Sequence, residues 1–144
     1  MSEPTGLDPF TKRYLAGLLI VTVLGLAWWL SGWDTRVSQL NAILEQDQEL
    51  AAYPYRFKVL SLENGIAEIS SPRSADVPVI QFLRIVYPEL QSRGVLDESV
   101  MAAQDKLVAV QSRAGKLVSD QADVTSIRWS IDRPWYASQG VYLD

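Results

Sequence analysis

Neither histidine nor cysteine occurs in the sequence. That removes the Ser-His triad, the thiolate nucleophile, zinc held by His or Cys, and disulfides. Catalysis would have to rest on carboxylates, hydroxyls or lysine. The candidates are Glu63 and Glu68 on a predicted hairpin, and Asp132 beside Arg133. Glu63 flanks a turn, where exposure to solvent is the ordinary state, and Asp132 reads as a turn or cap residue. The expectation is a non-catalytic protein with no catalytic residue, cofactor or metal. Binding has better material. The stretch "RWSIDRPWY" gathers Arg128, Trp129, Arg133, Trp135 and Tyr136, the residue types that dominate contact hot spots. The favoured reading of Trp129 and Trp135 is nonetheless that they fill the core of a small domain, with a partner or ligand surface as the alternative. Arg133, Trp135 and Tyr136 are the candidate partner contacts here.

A second aromatic cluster, "AWWLSGWD", holds Trp28, Trp29 and Trp33. It ends a charge-free run from Tyr14 to Trp33. A helix rises about 1.5 Å per residue, so those residues cover the roughly 30 Å hydrocarbon layer of a bilayer. The run is apolar on all sides, which suits lipid better than a half-wet surface. Its hydroxyls, Thr22 and Ser31, can bond back to the helix carbonyls. Trp and Tyr collect where lipid meets water, so Tyr14 at one end and Trp28, Trp29 and Trp33 at the other read as interface residues. The apolar run is longer than a cleaved signal core, and Trp and Leu fill the zone where cleavage would fall. An uncleaved signal-anchor is expected, with membrane lipid around it. Lys12 and Arg13 precede the span and only Arg36 closely follows it. The positive-inside rule then puts the start of the chain in the cytoplasm and residues 34–144 outside, with the helix in the inner (cytoplasmic) membrane.

The chain carries thirteen Lys/Arg and seventeen Asp/Glu, net −4, interspersed along its length. Nucleic acid needs a clustered basic surface, and no basic run occurs. Four parts are expected: a disordered tail over 1–13, the transmembrane helix over 14–33, a membrane-proximal stalk helix over 34–53, and an extracytoplasmic domain over 54–144. The stalk carries Val37, Leu40, Ile43 and Leu44 at helical spacing, which fails at Asp47, and Tyr53-Pro54 ends it. "FKVLSLENGIAEISS" predicts a β-hairpin turning on Asn64-Gly65, the favoured pair for a type I′ turn. A two-residue loop puts Leu62 opposite Ala67 and Leu60 opposite Ile69, with Lys58 and Ser71 extending the row. Residues 77–87 read as helix or strand. The spacing of Val79, Phe82, Leu83 and Val86 favours helix, with Pro78 in its first turn and Pro88 at its end. A long helix follows, capped by Asp97, with Val100, Ala103, Leu107, Val110, Ala114 and Leu117 inward. Gly115 inside it suggests a close crossing. "TSIRWSI" alternates as a half-buried strand, with Thr125, Ile127, Trp129 and Ile131 on one face. "DRPWYASQG" reads as a turn or short helical turn closed by Gly140, and "VYL" as a last short strand. Helices packed on one face of a small sheet make an α+β domain.

The stretches "ENGIAEIS", "AAQDKLVAVQSRAGKLV" and "DVTSIRW" together resemble the BON domain over residues 60–131. That family is a small α+β module of bacterial envelope proteins, and the resemblance implies binding to phospholipid or other envelope partners. The sequence departs from the family in two places. "QADVTSI" lacks the glycine expected before the last strand, and residues 72–96 lengthen the spacing. No functional residue is carried across. The architecture is also similar to the single-span, ferredoxin-like assembly subunits of secretion and pilus machines. Both resemblances, like the composition, point to an accessory or binding role. The favoured partner is a larger integral membrane protein. The span has Gly17 and Gly25 but no Gly-x-x-x-Gly pair, so homodimerisation through the helix is not expected. A notch at Gly25, one turn from Trp29, is expected to face that partner instead.

Overall fold

The computed structural model describes residues 6–144; residues 1–5 and the side chains of 31–34, the Trp33 ring among them, lie outside it. The chain forms two compact units, one up to Arg36 and one from Val37 to Asp144. Helix α1 (Pro9–Gln46) makes up the first and opens the second. It starts five residues before Tyr14, so residues 9–13 are helix and not tail. Proline suits a first helical position, and the Lys12 N–H already bonds the Asp8 carbonyl at 2.9 Å. A window with mean hydropathy 1.9, none of it buried, makes this helix long and apolar enough to cross a membrane. The Thr22 hydroxyl bonds the Leu18 carbonyl at 2.8 Å, which satisfies it without water.

The second unit is α+β. After α1 come α2 (Gln48–Ala52), β1 (Val59–Glu63), β2 (Ile66–Ser71) and α3 (Val79–Val86). Then follow a 3-10 turn (Pro88–Leu90), α4 (Glu98–Ser119), β3 (Ser126–Ile131) and α5 (Arg133–Ser138). The sheet order is β1-β2-β3, with β1 antiparallel and β3 parallel to the central β2. Residues 79–86 are helical, as their spacing favours: Phe82 and Leu83 are buried and Pro88 starts the next turn. Asp97 caps α4, accepting from the Ser99 N–H at 2.9 Å. Val100, Leu107, Val110, Ala114 and Val118 are buried along α4. The stripe ends on Val118, with Leu117 half-buried, because a 3.6-residue repeat drifts away from strict steps of three and four. A Cβ placed on Gly115 would lie 3.1 Å from the Trp129 ring and 3.8 Å from Ile127, so α4 does cross β3 closely there. Residues 141–144 form no strand. Arg133 holds them by bonds to the Leu143 and Asp144 carbonyls at 2.9 and 3.0 Å.

The turn has the expected form, with Asn64 at φ 52° and Gly65 at φ 78°, and Leu62 faces Ala67. The rest of the register is different. A bulge between Val59 and Ser61 brings Val59, not Leu60, opposite Ile69. Lys58 pairs with Ser70, whose N–H meets the Lys58 carbonyl at 2.8 Å. Val59 is buried and Leu60 turns out, 51% exposed. Asn41 of α1 explains the shift. Its side-chain amide donates to the Val59 carbonyl at 3.0 Å and accepts from the Val59 N–H at 2.8 Å. It stands where a neighbouring strand would stand, and so fixes Val59 with its side chain inward.

Residues 37–46 are therefore no free stalk. Leu40 and Leu44 belong to the core of the second unit, which begins at Val37 and not at residue 54. Spacing fails at Asp47 because the chain turns there. Its carboxylate caps α2, accepting from Leu50 N–H at 3.1 Å, and grips Arg113 of α4 at 2.6 and 2.8 Å. The Arg113 hydrogen bonds hold the Asp47 carboxyl below the ordinary value of 3.8.

Two expectations follow for the full chain in mild detergent, read by urea titration. Leu107 is fully buried on α4, so Leu107→Ala should cost about 2–5 kcal/mol. Asp47→Ala should cost about 1 kcal/mol at neutral pH, and Asp47→Asn less, since asparagine also caps. The depressed carboxyl contributes stability that is present above 3.8 and fades as pH falls through its lower folded value. The gap between Asp47→Ala and the unaltered chain should therefore narrow in acid.

Candidate interaction surface

Residues 53–60 alternate strictly. Tyr53, Tyr55, Phe57 and Val59 are buried, while Pro54, Arg56, Lys58 and Leu60 are exposed. Period two is the strand repeat, and here it begins six residues before β1. The inward rings join a cluster of aromatic pairs. Tyr55 meets Phe57, Phe82 and Trp135 edge-on, with centroids 5.0, 5.8 and 5.6 Å apart. Trp135 also lies 5.3 Å from Phe82 and 4.9 Å from Tyr136. Perpendicular rings put a positive edge on a negative face.

Asp132 ties this cluster to α5. One carboxylate oxygen accepts from the Trp135 N–H at 3.0 Å as the helix cap, and the other from the Tyr55 hydroxyl at 2.8 Å. Both oxygens are thus engaged in structure. Burial above all, and then the hydrogen bond to Asp132 and its charge, raise the Tyr55 phenol above its ordinary value. Burial, then the charge of Asp132, pushes Tyr136 up to about 12. Glu68 accepts from Arg128 at 3.2 Å and from Ser61 at 3.4 Å, and the Arg128 bond holds its carboxyl below the usual range. Glu63 is exposed beside the turn. Among the described residues, no group of three or more His, Cys, Asp or Glu could hold a metal ion.

The outward residues border an open groove lined by Pro54, Arg56, Lys58, Asp132, Pro134 and Trp135. Two cations, a carboxylate and an indole line it. Among the sequence candidates, Trp135 is half-buried and lines it, while Arg133 is exposed and bonds the end of the chain. Tyr136 departs from expectation. It is fully buried, and its hydroxyl donates to the Pro72 carbonyl, so its side chain serves the core and is not presented to a partner. On α1, Tyr14 and Trp28 are 65% and 80% exposed, Trp29 is exposed, and a Cβ on Gly25 would meet nothing within 4 Å. No family model, curated protein or solved structure matches the chain. The likeness to the BON domain gains no support from those comparisons.

Arg56 and Lys58 were not among the sequence candidates. Their signal was the alternation of aromatic and basic residues in "YPYRFK", masked by a proline that reads as a terminator. Stability should separate core from surface. Tyr136→Phe strips the buried Pro72 carbonyl of its donor and should cost about 1–3 kcal/mol. Arg56→Ala and Lys58→Ala, both exposed, should stay within about 0.5 kcal/mol. Urea titration of the three variants checks the contrast.

Proposed function

We propose that this protein is a non-catalytic, single-pass accessory or assembly subunit of the inner membrane. Its α+β unit lies outside the cytoplasm and docks on a larger integral membrane protein. The observation that carries the reading is the uncovered apolar window of α1. Water does not tolerate so long a run of exposed apolar side chains, and a bilayer or another membrane protein does. Lys12 and Arg13 before that window support an inward start of the chain. Tyr14, Trp28 and Trp29 are the ring types that settle at a lipid boundary. The groove of Arg56, Lys58 and Trp135 supports docking. Its cations stand out on a chain of net −4, and arginine beside tryptophan is the composition of contact hot spots. The partner would meet the span along Gly25, where a helix can approach without obstruction.

Two measurements test this. Protease added to intact spheroplasts should remove the C-terminal unit and spare a fragment of α1; full protection would refute the topology. Pull-down in mild detergent should recover one larger membrane protein. Arg56→Ala with Lys58→Ala should weaken that recovery without changing the protease pattern. Recovery of lipid alone would overturn the docking role.

A further inference from the structure

Strand β3 ends the sheet on one side, and among the described residues no strand follows it in the sheet order. Its ladder to β2 runs through alternate residues. The Ser126 N–H bonds the Gly65 carbonyl at 3.2 Å, and the Asp132 N–H bonds the Ser71 carbonyl at 2.9 Å. In a parallel pair the residues between alternate, so the N–H and C=O of Ile127, Trp129 and Ile131 point away from β2. These three also carry the apolar side chains of the strand. Trp129 is 37% exposed, and Ile127 and Ile131 are half-buried. The opposite edge of the sheet is different. At β1 the amide of Asn41 occupies the outward groups of Val59, and the bulge breaks the row.

The run Ile127-Arg128-Trp129-Ser130-Ile131 has the same apolar and polar pattern in both directions. We propose that β3 pairs antiparallel with β3 of a second copy, about a two-fold axis through Trp129. Three independent properties agree on that register. Each outward N–H meets an outward C=O: Trp129 with Trp129 of the second copy, and Ile127 with Ile131 of the second copy. The apolar row continues across the axis, so the exposed tryptophans cover one another. Arg128 comes opposite Ser130 of the second copy, and its charge is already balanced by Glu68 at 3.2 Å. A register centred on Arg128 would set two guanidiniums face to face, which is destabilising. The contact is isologous and closed, so it stops at two copies. It does not involve the span, and it leaves the groove at Trp135 to another partner.

The absence of native cysteine gives the test a clean background. Full-length Arg128→Cys and Ser130→Cys, carrying different tags, are co-expressed and oxidised in the membrane. A disulfide band joining the two tags is expected. Either variant alone should give little, because identical positions lie on a diagonal of about 7–8 Å, beyond disulfide reach. Adding Ile127→Lys to both copies puts a charge on the edge and should abolish the band. Protease resistance of the α+β unit, measured in parallel, separates lost pairing from lost fold. A band from Arg128→Cys alone would overturn the register. No joined band between folded variants, or crosslinks only to a different polypeptide, would overturn self-pairing.

Discussion

The pair of hydrogen bonds between the Asn41 amide and the Val59 backbone governs much of the second unit. It fixes the last turns of α1 against the sheet edge. With Val59 held, the bulge must absorb one residue, and Leu60 is the one turned out. Everything upstream then inherits its parity. Phe57, Tyr55 and Tyr53 point inward, and Lys58 and Arg56 outward. The basic wall of the groove and the aromatic core beneath it are two sides of one register choice. The same bonds satisfy an edge strand that would otherwise present bare N–H and C=O groups.

Two aspartates repeat a single device at opposite ends of the unit. Asp47 caps α2 and reaches across to Arg113, and Asp132 caps α5 and reaches back to Tyr55. In each case a short helix, too short to be stable by itself, starts where a carboxylate is also anchored to a distant part of the chain. Both oxygens of each carboxylate are engaged in these contacts.

Local chemistry was legible in advance. The Asn64-Gly65 turn, the Asp97 cap, the alternation of "TSIRWSI" and the long inward stripe all depend on near neighbours. What escaped depends on contacts made across the fold. Asn41 is an ordinary polar residue on a helix until Val59, eighteen positions later, comes beside it. The bulge, and with it the place of Leu60, follows from that meeting. Residues 37–46 looked like a stalk because their apolar spacing covers only two turns, and nothing local shows that Leu40 faces a core. At the groove, hot-spot composition drew attention to Trp135, which is half-buried there. Arg56 and Lys58 were hidden behind Pro54, and Tyr136 could not be told from a surface ring by composition.

The central strand takes its two neighbours at very different distances along the chain. β1 is joined to β2 by a tight turn, but the parallel partner lies sixty positions away, as the Glu68–Arg128 contact marks. On a ribosome the hairpin can close almost as soon as it is made. The other side of β2 must wait for α3, α4 and then β3. At roughly 5–20 residues per second, the wait is about 3–12 s. During that interval α4, once made, can shelter the apolar face of β2, while the edge that β3 finally takes waits for its partner. A nascent chain is thus most exposed to wrong strand pairing late in its synthesis, and at its centre.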